Sequence, residues 1–338
     1  MPHRRRSGAV STRAAWTAES LLEGLRSGDR RALARAISLV ENGDPLAGEL
    51  VRETYPQTGR AEIVGMTGPP GVGKSSLVSA LVRLVRGEGR TIGVISVDPS
   101  SPFTSGALLG DRIRLSDHFL DRDVFIRSMA SRGHAGGLAS TSGAAAAVLD
   151  AAGFDLILIE TVGTGQSEVE VAAAADTTVV LEAPEMGDEV QAIKAGLLEV
   201  ADLVVVNKGD KPGALRTAAQ LRAMLVPTVA RGDKRPDRPA PKRPEVLVTT
   251  ATTGDGVPGL LASLDRHRQA SRDGLTSDAR RARARAQVQG VLADRLADRL
   301  RAPDLAPLAD SVIDDVAEHR VDPYAAADRL LDAVSTHR

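Results

Sequence analysis

Ile63-Val-Gly-Met-Thr-Gly68-Pro-Pro-Gly71-Val72-Gly73-Lys74-Ser75-Ser76-Leu77 decides how the rest of the chain is read. Ile63, Val64 and Met66 form a short apolar run of strand character, and Leu77, Leu81 and Leu84 follow at helical spacing. Between them, Gly68 to Ser75 spells G-x-x-x-x-G-K-[ST]. A glycine-rich loop joining a strand to a helix is the context in which that pattern cradles phosphate. Gly68, Gly71 and Gly73 let the loop curl so that successive backbone N–H groups, from Val72 through Ser76, turn towards phosphate oxygens. The helix after Lys74 adds its positive end. Lys74 can then reach the β- and γ-phosphates, and the Ser75 hydroxyl can coordinate Mg²⁺.

Working outward, the rhythm from Glu62 to about residue 268 alternates short β-branched runs with helical patterns. The runs are Ile63–Met66, Thr91–Val97, Val124–Ile126, Leu156–Ile159, Thr177–Leu181, Leu203–Val206 and Val246–Val248. Several are apolar almost throughout, as strands buried on both faces of a parallel sheet must be. The expectation is a doubly wound α/β domain over residues 59–268, with ligands at the carboxyl ends of the strands. Asp98 and Asp111 follow the second run and suit a shell of metal-bound water; Glu160 ends the fourth, with Gly163 three residues on. An acid there accepts a hydrogen bond from the metal's water, and the Gly163 N–H can reach a γ-phosphate. Residues 163–170 then become a nucleotide-sensing switch. Thr164 stands directly after the glycine, with Gln166 two further on, so slow intrinsic hydrolysis is expected.

Asn207-Lys208-Gly-Asp210 ends the sixth run. A buried Asp210 carboxylate would accept hydrogen bonds from N1–H and the exocyclic amine of guanine, a pattern adenine lacks, so the site should reject ATP. The Lys208 stem can lie over the base while Asn207 braces the loop. Thr250, Ala251 and Thr252, after the last run, supply the second base-contacting loop.

Composition narrows the classes. The chain has 338 residues, a net charge of −1 and no cysteine. Near-neutral charge argues against nucleic-acid or membrane-surface partners. Without cysteine there are no disulfides or thiolate metal sites, which fits a cytoplasmic, reducing setting. No run of strongly apolar residues is long enough to span a bilayer. Of 43 basic residues, the lysines are Lys74, Lys194, Lys208, Lys211, Lys234 and Lys242, so the chain keeps lysine for places where a compact ammonium is of use. His134 reads as solvated, and the basic, proline-rich 229–244 stretch as an exposed excursion.

The flanks read as helical. Residues 1–15, where Arg4, Arg5 and Arg6 have no apolar run behind them, are expected to be a disordered tail. Over 16–58, Asp29 can cap a helix carrying Leu33, Ile37 and Val40, closed by Asn42-Gly43. Over 269–338 the sheet rhythm stops, and Val288, Leu292, Leu296 and Leu300 form a stripe that needs either the α/β domain or another copy of the chain.

Taken in order, G-P-P-G-V-G-K-S-S-L (68–77), V-D-P-S-S-P (97–102), L-G-D-R-I-R (109–114), I-E-T-V-G-T-G-Q-S-E (159–168), G-D-E-V-Q-A-I-K-A-G (187–196) and N-K-G-D (207–210) resemble the methylmalonyl-CoA mutase-associated GTPases (MeaB/ArgK-like) of the metallochaperone GTPase group. The likeness runs over about residues 16–338. It implies GTP and GDP as ligands, with Lys74 and Ser75 on phosphate and Mg²⁺, and Asp98, Asp111 and Glu160 around the metal. It implies a guanine site at Asn207, Lys208 and Asp210, and a third switch-like segment from Gly187 to Lys194 that reports to a partner. A partner that orders this segment could bring Lys194 towards the developing phosphate charge. The partner implied is an adenosylcobalamin-dependent acyl-CoA mutase, methylmalonyl-CoA mutase above all, whose cofactor loading the GTPase gates and which it protects. The family's C-terminal helices form a homodimer. Ala-Pro-Glu-Met at 183–186 replaces a more usual Pro-Gly pair, and the 229–244 loop is longer and more basic than is typical. A phosphotransferase is the alternative from another class, but no acceptor base is evident. A nickel metallochaperone would need the cysteines or histidine-rich tracts that this chain lacks.

Overall fold

The computed structural model describes residues 16–98, 118, 120–130, 137–161, 167–184, 200–225, 244–272 and 277–336. Among the described residues, seven strands form one parallel sheet: β1 (Glu62–Thr67), β2 (Ile92–Asp98), β3 (Val124–Ala130), β4 (Leu156–Thr161), β5 (Thr177–Glu182), β6 (Leu203–Val206) and β7 (Glu245–Val248). Their order across the sheet is β3-β2-β4-β1-β5-β6-β7. The doubly wound fold expected from the alternating pattern is present. From central β1 the chain winds one way to β2 and β3, and later the other way through β5 to β7. The reversal leaves a crevice at the carboxyl end of β1, where ligands of such sheets bind.

The apolar runs are continuous because both faces are covered. Leu156 and Leu158 join Val64, Met66 and Val94 beneath α4 (Lys74–Gly87) and α8 (Val257–Arg272). Ile157 and Ile159, on the opposite face, pack with Ile95, Leu149 and the N-terminal helices. Those helices are α1 (Ala18–Arg26), α2 (Arg30–Glu41) and α3 (Pro45–Thr54); on the same face lie α5 (Gly137–Ala151) and α6 (Ser167–Ala174). Helix α7 (Ala214–Met224) covers β5 to β7 through Leu221, Val180, Val204 and Val206.

The N-terminal helices are set by their caps. Asp29 Oδ1 accepts from Arg31 N at 2.8 Å, and Asp44 Oδ1 from Leu46 N at 2.9 Å. Leu33, Ile37 and Val40 are buried, so the helical preface packs on the sheet's α5 face. Arg30 donates to the carbonyls of Asp121, Arg122 and Val124 at 2.8, 3.0 and 2.9 Å. Asp150, buried at the end of α5, accepts from the backbone of Gly59, Arg60 and Ala61 at 2.5, 3.2 and 2.9 Å. One carboxylate thus fixes the chain just before β1, and charged acceptors of this kind are the stronger hydrogen bonds.

Two details differ from the sequence reading. Strand β3 runs on to Ala130 rather than stopping at Ile126, because Arg127, a poor fit to an apolar run, reaches out to Glu41 at 2.5 Å and Ser38 at 3.1 Å on α2. Helix α8 continues to Arg272, past residue 268. Beyond it come α9 (Ser277–Leu300), α10 (Ala306–Ala317) and α11 (Pro323–Thr336). Helix α9 lies against α5 and α6 and is tied by Arg283, which donates to the Asp176 carbonyl at 3.0 Å. Val288 and Leu292 of its stripe are 59% and 60% exposed, so the α/β domain does not cover them. No described helix is long and apolar enough to cross a membrane.

Candidate nucleotide site

The loop Gly68–Gly73 joins β1 to α4 at the crevice. Gly68 has φ +142° and Gly73 φ +93°, in the region L side chains avoid. Sterics demand glycine twice over. A Cβ on Gly68 would lie 2.3 Å from the Leu181 carbonyl oxygen of β5, and one on Gly73 2.5 Å from Asn207 Nδ2. Val72, fully buried, pegs the loop into the core. Lys74 and Ser75 open the fourteen-residue α4, so the loop N–H groups and the helix dipole converge there. Lys74 is buried, and its Nζ donates to the carbonyls of Gly68 and Pro69 at 2.5 and 2.9 Å, folding the ammonium over the loop. Ser75 is half-buried and Ser76 exposed.

Asn207 ties three segments together at the carboxyl end of β6. Its Nδ2 donates to Val72 O at 2.9 Å, while its Oδ1 accepts from Thr249 Oγ1 and Ala251 N, each at 3.1 Å. Its own backbone N–H donates to Glu182 O at 2.8 Å. Lys208 follows with φ +58°, and Gly209 N donates to Thr249 O at 2.8 Å. A left-handed lysine costs on the order of 1 kcal/mol and sets the turn that presents Lys208 and Asp210 on the surface beside Thr250, Ala251 and Thr252. Asp210 is exposed.

Glu160, the penultimate residue of β4, lies on the α4 side of the sheet and is 2% exposed. Ser96 Oγ of β2 donates to its Oε1 at 2.7 Å. Ser96 went unremarked in the sequence because the bond depends on strand register. Asp98 ends β2 at the same edge, its side chain lying outside the described residues. So do Asp111, Gly163, Gln166, His134, Lys194, the 187–194 segment and the 229–243 stretch. Among the described residues, no cluster of three or more histidine or acidic side chains could hold a metal by itself.

The crevice thus gathers a phosphate loop, a buried acid and an N-K-x-D turn at one sheet edge. Residues 33–304 match the family described as methylmalonyl Co-A mutase-associated GTPase MeaB. The chain belongs to the MeaB family. A relative from Pyrococcus abyssi named for a GTPase is 45% identical over 316 residues, 93% of this chain and 95% of the relative. Methylmalonic aciduria type A homolog, mitochondrial, of Mus musculus is 36% identical over 256 residues, 71% of this chain and 60% of that protein. A solved structure described as LAO/AO transport system kinase is 25% identical, with a TM-score of 0.64 over 94% of this chain and 97% of that one. As a MeaB-family P-loop protein the chain binds GTP and GDP and hydrolyses GTP.

Proposed function

We propose that this GTPase protects an adenosylcobalamin-dependent acyl-CoA mutase, methylmalonyl-CoA mutase in the first instance, and gates its cofactor loading. The observation that carries the reading is the match to the mutase-associated family over residues 33–304, and the methylmalonic aciduria name of the mouse relative supports it. Lys74 holds the β- and γ-phosphates, the loop N–H groups from Val72 to Ser76 surround them, and Asn207, Lys208 and Asp210 take the guanine. Ser75 and Glu160, with Asp98 and Asp111, offer the hydroxyl and carboxylate oxygens that suit Mg²⁺. When bound, that ion neutralises charge on the phosphate oxygens. Two copies pair through the exposed stripe of α9 around Val288 and Leu292, and the protein works in the cytoplasm.

Two measurements test this. Purified mutase should be retained on the immobilised GTPase to different extents with GTP and with GDP, and should accelerate GTP hydrolysis. Retention in neither nucleotide state would remove the chaperone reading. Asp210→Asn should weaken GTP binding by about a hundredfold, as loss of a paired charged acceptor does, and should favour xanthosine nucleotides, whose 2-oxo group accepts from an amide. Unchanged GTP affinity would place the base elsewhere.

A further inference from the structure

In the parallel register of β2 and β4, Ser96 stands directly opposite Glu160. On the other side of Glu160, in β1, stands Met66, which is fully buried and apolar. Of these two lateral neighbours only Ser96 can donate a hydrogen bond. Val94 and Leu158, two residues earlier on the same strands, belong to the core beneath α4. Strand alternation therefore points Ser96 and Glu160 to that same face, beside the helix that Lys74 and Ser75 begin. Ser96 is 1% exposed and Glu160 2%, and the 2.7 Å bond between them is sequestered from solvent. A buried carboxylate retains its orientation through such bonds, because in a low-dielectric setting each donor counts for more than in water.

We propose that Ser96 is a positioning residue of the nucleotide site. By donating to Oε1 it holds the Glu160 carboxylate in the orientation from which Glu160 engages the hydration shell of nucleotide-bound Mg²⁺. The inference rests on the reading of Glu160 as the acid of that shell. A partner that orients a group at a metal site changes metal affinity by about tenfold to a hundredfold when it is removed, while leaving contacts that do not involve the metal in place.

The test is a Mg²⁺ titration of fluorescent GDP binding, followed by anisotropy, on the full chain. Ser96→Ala should raise the half-saturating Mg²⁺ concentration about tenfold and leave the GDP affinity measured in EDTA unchanged. Ser96→Thr, which keeps the hydroxyl, should restore the wild-type titration. Glu160→Gln should shift the titration at least as far as Ser96→Ala. A shifted Glu160→Gln beside an unshifted Ser96→Ala would overturn the role of Ser96 alone. An unshifted Glu160→Gln would overturn the underlying reading of Glu160, and the inference with it. Equal loss of GDP affinity with and without Mg²⁺ in Ser96→Ala would mark the serine as merely structural and would also overturn the proposal.

Discussion

Asn207→Ala is expected to lower guanine-nucleotide affinity by about a hundredfold or more, since it strands several buried partners at about 1–3 kcal/mol each. The amide is the knot between the phosphate loop at Val72, the β6 turn and the loop at Thr249–Ala251. Its removal leaves Val72 O, Thr249 Oγ1 and Ala251 N without these bonds and frees the base side of the site from the phosphate side. Asn207→Asp separates the two halves of the effect. The carboxylate still accepts from Thr249 and Ala251 but loses the donor to Val72 and sets a negative charge beside that carbonyl and the phosphates. Isothermal titration with GDP should place the aspartate variant well below wild type. Near wild-type affinity in both variants would mean that Asn207 does not organise the site.

The second large effect lies at the opposite edge of the sheet. Glu62, at the start of β1, is 1% exposed, and neither carboxyl oxygen has a hydrogen-bond partner among the described residues. Burial, reinforced by Asp265 and to a smaller extent by Asp176, pushes its carboxyl from the ordinary 4.5 up to about 8; Arg268 and Arg90 oppose the shift. The arginines are engaged elsewhere. Arg90 pairs with Asp265 at 3.0 Å, and Arg268 donates to Arg60 O. Between those two pH values the folded protein holds a proton that the unfolded chain has released. Stability from this group is therefore fully present below about 4.5 and is lost as pH rises through about 8. The loss amounts to something on the order of 5 kcal/mol. Glu62→Gln, which cannot ionise, should flatten that dependence and be more stable than wild type at the alkaline end. Urea denaturation across the window checks it; parallel curves for the two proteins would show that Glu62 does not titrate as described.

What could be read in the sequence was whatever is written locally. The phosphate loop, the apolar strands and the N-K-x-D turn each declare themselves within a few residues, and the caps at Asp29 and Asn42-Gly43 lie within one helix. Partnerships across the sheet could not be read this way. Ser96 looks like an ordinary polar residue in a strand until register sets it against Glu160, and Glu62 looks like a strand-leading acid until α8 closes over it. Arg127 interrupts an apolar pattern, which made β3 appear shorter than it is; its partner Glu41 lies 86 positions earlier in the chain. The shape of the turn at Asp210 is set by Lys208's left-handed backbone and by Thr249, just after β7, neither of which four letters of sequence reveal.

The clasp of Arg30 on the carbonyls leading into β3 has a meaning for self-association. Strand β3 is an outer strand of the sheet, and an outer strand with free backbone groups is a template onto which a strand from another molecule can add. A guanidinium already seated on that row, anchored in a capped helix and seconded by the Arg127–Glu41 pair, denies an incoming strand its first acceptors. The helical preface is in this sense a guard against fibrous or amorphous aggregation, posted at the border of the sheet farthest from β7.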